Sequence, residues 1–535
     1  MVLSTCLMER QMGPSSSPSG RSFHFRRSLR RLLWPCIAII FGPGLVVAQT
    51  AQVPVPPPSS ITDIILGPNV RVNSNAASLS RAQVEPSVAS NPADPFQLVA
   101  GFADAIDDFA PGVARSTDGG QTWSAPAGGA LLPDPPGFAW GNRFVAAQLA
   151  AGDSAVAWGR RNSVYFATLG FHDNRVPPNG NCAGGGIYVY RSDDGGNTWI
   201  LPANEPAIAN TQTVFRDKDY IAVDTNPLSP FAGNVYLVWD DDFYTGCPQD
   251  FSVNFLRRDI SFAVSSDDGA TWSVPIVLAT GCIVAPVPAV APNGDLYVVW
   301  YDCNAGIRQM IRKSINGGLS FGPAVAAASG LTAPPNPLIG SRFRVNAAFP
   351  VIATDPTNAE NIYVTWSSDN GPSQTDVFVS RSLDGGTTWS PVPVRVNDDP
   401  LGNPRDQFFP WISVATDGTV RVMWGDDRLD LINPGGKLYD VFMAESTDQG
   451  ASFSPNIRVT TTSSDPDFDG FGGTFIGDYW GLAASGVPVW DDTRNGDQDI
   501  FGAGISGHHP HPPHAAPSHR FHWRLGSDRA ALHNR

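Results

Sequence analysis

Short runs of alternating apolar and polar residues recur between residues 66 and 506, separated by turns rich in glycine and proline. Stretches such as "GGIYVYR", "DISFAVS", "DVFVSR" and "YDVFMAE" have the two-residue period of half-buried β-strands. The 53 Gly and 48 Pro residues are interleaved with Val, Ile, Tyr, Phe and Trp, which indicates many short strands joined by turns. The pattern predicts an all-β protein.

An eight-residue motif of the form Ser-x-[Asp/Asn]-x-Gly-x-[Ser/Thr]-[Trp/Phe] follows these strands six times. The copies are "STDGGQTW" from residue 116, "SDDGGNTW" from 192, "SSDDGATW" from 265, "SINGGLSF" from 314, "SLDGGTTW" from 382 and "STDQGASF" from 446. Six matches to five constrained positions are not chance. Internal repetition of this kind predicts a ring or a solenoid.

Each copy has the same surroundings. Upstream lie an apolar strand such as "YIAVD" and a strand ending in an aromatic residue and an acid, such as "VYLVWDD"; downstream lies a short strand such as "VPVRVN". Four strands per unit, A to D from the inside outward, describe a propeller blade with the motif at the C–D turn. Here an acid can accept backbone N–H bonds and glycine permits a positive φ, which predicts a structural role. The predicted turn residues are Asp118, Asp194, Asp268, Asn316, Asp384 and Asp448.

These motifs resemble the Asp-boxes of the sialidase (neuraminidase-like, BNR-repeat) propellers, and the resemblance covers about residues 60–506. After the sixth copy, "GDYWGLAAS", "VPVWDDTR" and "DIFGAGI" supply strands A, B and C of a further unit. Its strand D is predicted near the start, because "NVRVN" (69–73) matches "PVRVN" (393–397). We therefore predict a seven-bladed propeller with a split closing blade; six blades, as in known sialidases, is the alternative.

The resemblance implies a glycan-acting propeller, with an exo-α-sialidase or related exo-glycosidase as the leading activity. Such enzymes bind the substrate carboxylate with three arginines, use a Tyr–Glu pair as nucleophile and an aspartate as acid/base. The family's Arg-Ile-Pro motif is absent from this chain, so no catalytic residue transfers by motif. A non-catalytic propeller that binds glycan or protein is the competing hypothesis, and a purely structural adhesion component is a third.

Pockets in propellers of this kind open on the face of the D–A and B–C loops, opposite the Asp-boxes. Glu85 begins strand A of the first blade and Tyr479 that of the last, so ring closure predicts a Tyr–Glu pair. Asp104 and Asp478 are the acid/base candidates. The candidates for anion binding are Arg143, Arg216, Arg405 and Arg494. The alternative is that all these side chains fill the channel mouth in structural ion pairs.

The N-terminal segment predicts export. Six arginines precede the apolar run "LLWPCIAIIFGPGLVVA" at 32–48, the pattern of a signal peptide (1–48) cleaved near Ala48. A membrane anchor is the alternative, but the run is short and interrupted by proline and glycine. A Pro-rich linker (49–65), the propeller (66–506) and a disordered His-rich tail (507–535) follow. The predicted location is secreted, periplasmic or at the cell surface.

Charge and cysteine content narrow the partners. The net charge of −15 becomes −20 when residues 1–48 and their six Arg and one Glu are removed, which argues against nucleic acid. Four cysteines remain in the exported chain, and we predict two disulfides between neighbouring blades, Cys182–Cys247 and Cys282–Cys303. The expected partner is a glycan or glycoprotein.

Histidine is scarce in the predicted propeller. Seven of the nine histidines lie in the tail and only His172 lies in the ring, which leaves no histidine pair for a catalytic dyad or a His₃ metal site. The acidic clusters "DDDFY" (240–244), "NDDP" (397–400) and "DPDFDG" (465–470) offer oxygen ligands for Ca²⁺, although none has EF-hand spacing. No other cofactor is expected.

Overall fold

The computed structural model describes residues 66–505, apart from 75–81, 106–108, 142–147, 172–184, 204–206, 212, 247–253, 339–342, 346–347, 370–374, 433–436, 472 and 474. Seven sheets form a seven-bladed β-propeller, which confirms the predicted fold and blade number. The described helical structure is one 3-10 turn, Pro466–Phe468. Within these described ranges, no helix has the length and hydropathy needed to cross a membrane. The predicted signal, linker and tail lie outside the described residues.

Blades are numbered along the chain, and each strand is given in order from the channel outward unless stated. Blade 1 consists of β2 (Gln83–Asn91), β3 (Asp94–Asp104) and β4 (Ala110–Ser116), and bridges at Ser124 and Leu131 stand in for its fourth strand. Blade 2 consists of β6 (Gln148–Trp158), β7 (Val164–Phe171), β8 (Gly186–Ser192) and β9 (Ile208–Ala209), with β5 (Ala139–Trp140) parallel to β6. Blade 3 consists of β10 (Val214–Val223), β11 (Val235–Tyr244), β12 (Phe255–Ser265) and β13 (Ile276–Gly281).

The remaining blades have four strands each. Blade 4 consists of β14 (Ile283–Val290), β15 (Leu296–Asp302), β16 (Ile307–Ser314) and β17 (Val325–Leu331). Blade 5 consists of β18 (Val351–Asp355), β19 (Asn358–Asp369), β20 (Thr375–Ser382) and β21 (Val394–Arg395). Blade 6 consists of β22 (Gln407–Val414), β23 (Val420–Asp426), β24 (Asp440–Ser446) and β25 (Ile457–Arg458). Blade 7 consists of β26 (Gly481–Leu482), β27 (Pro488–Asp492), β28 (Asp499–Ile505) and β1 (Leu66–Arg71).

The closing blade is split as predicted, because β1 pairs with β28 as the outer strand of blade 7. Just after β1, Asn73 Nδ2 donates to Asp499 Oδ1 at 2.7 Å and to Gln83 Oε1 at 2.9 Å. Its Oδ1 accepts the Ile500 backbone N–H at 2.9 Å. One buried amide therefore ties the two ends of the described chain together and links blade 7 to blade 1.

Blade 5 contains the same arrangement within a continuous segment. Asn397 Nδ2 donates to Asp376 Oδ1 at 2.6 Å and to Gln407 Oε1 at 2.9 Å, and its Oδ1 accepts the Val377 N–H at 2.9 Å. Both asparagines end the shared Arg-Val-Asn sequence on which the prediction of the split blade rested. The sequence match thus reflects one repeated hydrogen-bond network.

The six Asp-boxes form the C–D turns, as predicted. In every copy the Ser hydroxyl donates to the Asp or Asn Oδ1 at 2.7–2.9 Å, and that oxygen accepts the backbone N–H four residues later at 2.8–3.0 Å. In the third copy the acid is Asp267, so the assignment to Asp268 is wrong by one position. The side chain of Asp268 does not bond within the turn and instead pairs with Arg191 at 3.1 Å.

Five of the innermost strands contain a β-bulge at a non-glycine residue with positive φ. The pairing register with the next strand shifts there, at Glu85 (58°), Asp153 (46°), Lys218 (51°), Ala285 (58°) and Phe409 (48°). Left-handed backbone costs an L-residue about 1–2 kcal/mol, so the surrounding packing must hold these conformations. A bulge re-aims its side chain, and four of these five residues line the central recess.

Candidate active site in the central recess

A recess of about 570 Å³ opens where the inner strands of blades 2 to 7 converge. Its wall has two chemically different halves. Blades 2, 3 and 7 contribute the charged residues Asp153, Lys218, Asp219 and Asp478. Blades 4, 5 and 6 contribute mainly apolar residues, which are Ala285, Pro286, Val287, Phe349, Pro350, Val351, Phe409, Pro410 and Trp411. The fold therefore places a polar and an apolar surface opposite each other in one enclosure.

Lys218 organises the charged half. Its Nζ donates to Asp153 Oδ1 at 2.8 Å and to Asp478 Oδ2, and its backbone N–H donates to Asp153 Oδ2 at 3.1 Å. Arg344 Nη2 reaches Asp478 Oδ1 at 2.7 Å from the segment before β18. Asp153 and Asp478 are each 3% exposed. Two buried carboxyl groups from blades 2 and 7 are thus held side by side by two cations.

Glu85 lies behind this pair. Its Oε2 accepts the Asp153 backbone N–H at 3.1 Å, and one oxygen each of Glu85, Asp153 and Asp478 lie within 4.8 Å of one another. Burial and the charge of Asp153 raise the pKa of Glu85 to about 8. Burial, opposed by Lys218, raises the pKa of Asp153 to about 7. The site therefore holds protonated carboxyl groups near neutral pH, which general acid catalysis requires.

Three aromatic rings form part of the wall. Tyr220 lies 5.4 Å from Trp411 and 6.0 Å from Tyr479 between ring centroids, and Trp411 lies 6.2 Å from Tyr479. All three rings are partly exposed to the recess. The Tyr479 hydroxyl donates to the Ser154 carbonyl at 3.0 Å, and burial raises the pKa of Tyr479 well above its ordinary value. The rings offer a stacking surface for the C–H face of a sugar.

The structure brings Glu85, Tyr479 and Asp478 together at the junction of blades 1, 2 and 7. The Tyr479 hydroxyl donates to the Ser154 carbonyl, however, and the Glu85 carboxyl group accepts the Asp153 backbone N–H. Among the described hydrogen bonds, none joins Tyr479 to Glu85. Asp104 ends β3 in register with Gln83 and does not line the recess.

The three predicted arginines that the structure describes, Arg216, Arg405 and Arg494, do not line the recess. Arg216 Nε pairs with Asp241 Oδ1 at 3.0 Å, and Arg494 Nη2 pairs with Asp492 Oδ2 at 2.6 Å. Arg405 precedes β22 and lies next to Asp406, whose pKa burial raises to about 6. Arg143 lies outside the described residues. Arg216 and Arg494 therefore form ion pairs within their own blades.

Sequence reasoning missed Asp153, Lys218, Asp219, Arg344 and Trp411. One available signal was the string "RDKDY" (216–220), whose charges interrupt an apolar inner strand. A charge in such a strand is costly unless it is paired, and this favours a functional or ion-paired role. The five bulge residues that aim these side chains share no residue type, although proline follows three of them, at positions 86, 286 and 410.

One predicted disulfide is present. Cys282 and Cys303 are bonded, with 5.1 Å between their Cα atoms. Cys282 precedes β14 and Cys303 follows β15, so the bond links two loops of blade 4 rather than neighbouring blades. Cys182 and Cys247 lie outside the described residues, as does His172.

The three acidic clusters proposed for Ca²⁺ have protein partners. Asp242 Oδ2 accepts from Arg258 Nη2 at 2.6 Å, Asp399 Oδ1 accepts from Arg395 Nη2 at 3.0 Å, and Asp467 pairs with Lys437 at 2.7 Å. In the third cluster, Asp469 Oδ1 also accepts the backbone N–H groups of residues 471 and 473 at 2.6 and 2.9 Å. Arginine, lysine and backbone N–H groups therefore contact these carboxylates.

Comparison with known proteins identifies the repeat. Residues 114–125 match the BNR/Asp-box repeat model. The curated xyloglucanase Xgh74A of Acetivibrio thermocellus is 26% identical over 317 residues, which is 57% of this chain and 32% of the relative. The chain thus spans about a third of the length of the curated relatives it matches.

Two solved structures resemble this chain at low identity. A protein of unknown function from Dyadobacter fermentans has a TM-score of 0.43 and 14% identity, covering 83% of this chain and 100% of that one. The Hadza microbial sialidase Hz136 has a TM-score of 0.41 and 18% identity, covering 64% of this chain and 63% of that one.

Proposed function

We propose that this propeller is a glycoside hydrolase that binds the terminal sugar of a glycan in the central recess. The observation that carries the proposal is the pair of buried carboxyl groups, Asp153 and Asp478, beside three partly exposed aromatic rings. Glycosidases cleave their substrates with two carboxyl groups on either side of the scissile bond. A recess at the centre of the ring suits a chain end better than the middle of a polymer.

The environments of the two acids suggest different roles. Asp153, whose pKa is raised to about 7, holds a proton that it can donate to the leaving oxygen. Asp478 is paired with Lys218 and Arg344, and its carboxylate is the candidate for stabilising the positive charge that develops on the sugar. Trp411 and Tyr220 stack on the sugar ring and hold it against the acids.

The substrate class rests on the relative and on the wall chemistry. The curated relative is named a xyloglucanase, which supports a glycan as the substrate. An exo-α-sialidase is the narrower candidate, and it requires cations at the recess for an anionic sugar. Lys218 is the one cation among the described lining residues, and it already bonds two acids. The geometry therefore favours an uncharged or basic sugar. Export with cleavage near Ala48 is part of the proposal.

A glycan-binding propeller without turnover is the second candidate. The observation that favours it is the position of Lys218 Nζ between Asp153 and Asp478, which ties up both carboxyl groups. In this case the aromatic rings bind a sugar and the ion pairs are structural.

One experiment separates these candidates. The exported protein is incubated with fluorogenic sialoside, xyloside, arabinofuranoside and hexosides, and with xyloglucan oligosaccharides, while binding is measured on a glycan array. Release of one sugar supports the hydrolase, and Asp153→Asn should then lower kcat by about 10²-fold or more. The control Asp193→Asn changes an exposed ion pair and should leave kcat unchanged. Array binding without release supports the binding module, and release from the sialoside alone supports the sialidase.

A further inference from the structure

One acid of the recess has no bond to another residue. Asp219 lines the recess on β10 and is 1% exposed, and neither of its carboxyl oxygens has a hydrogen-bond partner on another side chain or backbone group. The neighbouring Asp153 and Asp478 are both bonded to Lys218. A buried carboxyl group without donors is costly, unless a ligand supplies them. A ligand that donates hydrogen bonds would therefore stabilise Asp219 more than Asp153 or Asp478.

Aromatic rings line the same recess as this acid. Tyr220 follows Asp219, and its hydroxyl is also buried without a partner. The ring of Tyr220 contacts Trp411 at 5.4 Å and Tyr479 at 6.0 Å. Aromatic faces attract cations that have lost their hydration water. The combination of a free acid, a free hydroxyl and several rings is suited to a positively charged group.

The charged groups that line the recess also favour a cationic ligand. Among the described lining residues there are three carboxyl groups, on Asp153, Asp219 and Asp478, and one cation, Lys218. Burial and the charges of Asp153 and Asp217 raise the pKa of Asp219, against the effect of Lys218. A bound cation would lower the pKa of Asp219 and favour its ionised form, whereas an anionic ligand would raise that pKa further.

We propose that the recess recognises a protonated amine, with Asp219 as its counter-ion and the Tyr220 hydroxyl as a second hydrogen-bond partner. The amine site rests on the proposed function in one respect, because that function implies that a sugar carries the amine. The ligand is then an amino sugar that has no N-acetyl group. Phe349, Pro350 and Phe409 on the opposite wall contact the C–H face of the same sugar.

The test compares matched ligands on the full exported chain. Binding of D-glucosamine, D-galactosamine and D-mannosamine is measured by titration calorimetry beside the corresponding hexoses and N-acetylhexosamines. At least one amine should bind about tenfold tighter than both of its matches, the usual value of a charge-assisted bond. Asp219→Asn should remove this preference while binding of the hexose changes by less than about twofold.

Two controls keep the test decisive. Tyr220→Phe removes one hydroxyl and should weaken amine binding about threefold to tenfold, so it replaces Asp219→Asn if that variant fails to fold. Asp193→Asn, at an exposed ion pair, should leave every affinity unchanged. The inference is overturned if no amino sugar binds better than its hexose, or if a folded Asp219→Asn protein keeps the preference.

The outcome is independent of the proposed activity. Cleavage of a neutral glycoside with no amine preference overturns the amine site and leaves the hydrolase standing. Preferential amine binding without cleavage of any glycan, including partly deacetylated chitosan, overturns the hydrolase and leaves the amine site standing.

Discussion

The Asp-boxes and the inner-strand bulges both recur around the ring, but the boxes repeat a sequence and the bulges repeat a backbone conformation. The boxes repeat their residues, so that six turns make the same Ser–Asp and Asp–amide bonds. The bulges repeat only a backbone shape, and the residue at the bulge changes from Glu85 to Asp153, Lys218, Ala285 and Phe409. A constant sequence builds the frame, whereas a constant backbone with varied side chains builds one asymmetric recess.

Their acids also have opposite electrostatics. Bonds from the Thr388 hydroxyl and amide lower the pKa of Asp384, which lies in an exposed turn. Burial raises the pKa values of Glu85 to about 8 and of Asp153 to about 7. The boxes therefore hold exposed carboxylates stabilised by hydrogen-bond donors, whereas burial in the recess favours protonated carboxyl groups. Four predictions test this contrast.

The largest expected effect is on turnover. Asp478→Asn removes the carboxylate bonded to Lys218 and Arg344, so kcat/KM on whichever glycan is cleaved should fall about 10³-fold. Asp384→Asn makes the same chemical change in an Asp-box and should alter kcat/KM by less than about twofold. The contrast fails if steady-state rates show that both variants lose activity equally, with folding checked by circular dichroism.

The closing network should have the next largest effect. Asn73→Ala removes three buried hydrogen bonds and should lower the free energy of unfolding by about 2–4 kcal/mol in urea titrations. Asn397→Ala makes the equivalent change in blade 5 and should cost a similar amount. A loss below about 0.5 kcal/mol for Asn73→Ala would show that this network does not hold blade 7 closed.

A third, smaller effect concerns pH. The pKa of Glu85 is about 8 in the folded protein against an ordinary 4.5, so folding takes up a proton between these values. The free energy of unfolding should therefore fall as pH rises from 5 to 8, by at most about 1.4 kcal/mol per pH unit for one proton. Glu85→Gln cannot ionise, and its urea midpoints should depend less on pH.

The matched control for this prediction is Glu360→Gln, at an exposed glutamate. It should keep the pH dependence of the unchanged protein. Identical pH profiles for the unchanged protein and Glu85→Gln would mean that Glu85 is ionised throughout, contrary to the effect of its burial.

The smallest effect separates two adjacent acids. Asp267→Ala should lower the free energy of unfolding by about 1–2 kcal/mol, because Asp267 accepts the bonds of its turn. Asp268→Asn should change it by less than about 0.5 kcal/mol, since the ion pair to Arg191 is exposed and asparagine tolerates a positive φ. Thermal melts that reverse this order would restore Asp268 as the turn acid.

The frame could be predicted from the sequence because its hydrogen bonds need the same residue types in every blade. The six boxes and the Arg-Val-Asn match gave seven blades and the split, and only the position of the acid in the third box was wrong. The recess could not be predicted, because Lys218 and Phe409 occupy equivalent bulges without any shared chemistry. Ring closure alone predicted that Glu85, Tyr479 and Asp478 come together. Their hydrogen bonds depend on Asp153 and Ser154 of blade 2, which ring closure does not predict.

The split blade has a consequence for the order of folding. Asn73 and Ile500 are bonded across 427 residues, so strand β1 leaves the ribosome first and waits for its partner until nearly the whole ring has been synthesised. Contacts of such long range slow folding, and an unpaired strand edge invites association with other chains in the meantime. Synthesis of β28 therefore completes both the outer edge of blade 7 and the junction with blade 1, where Glu85 lies.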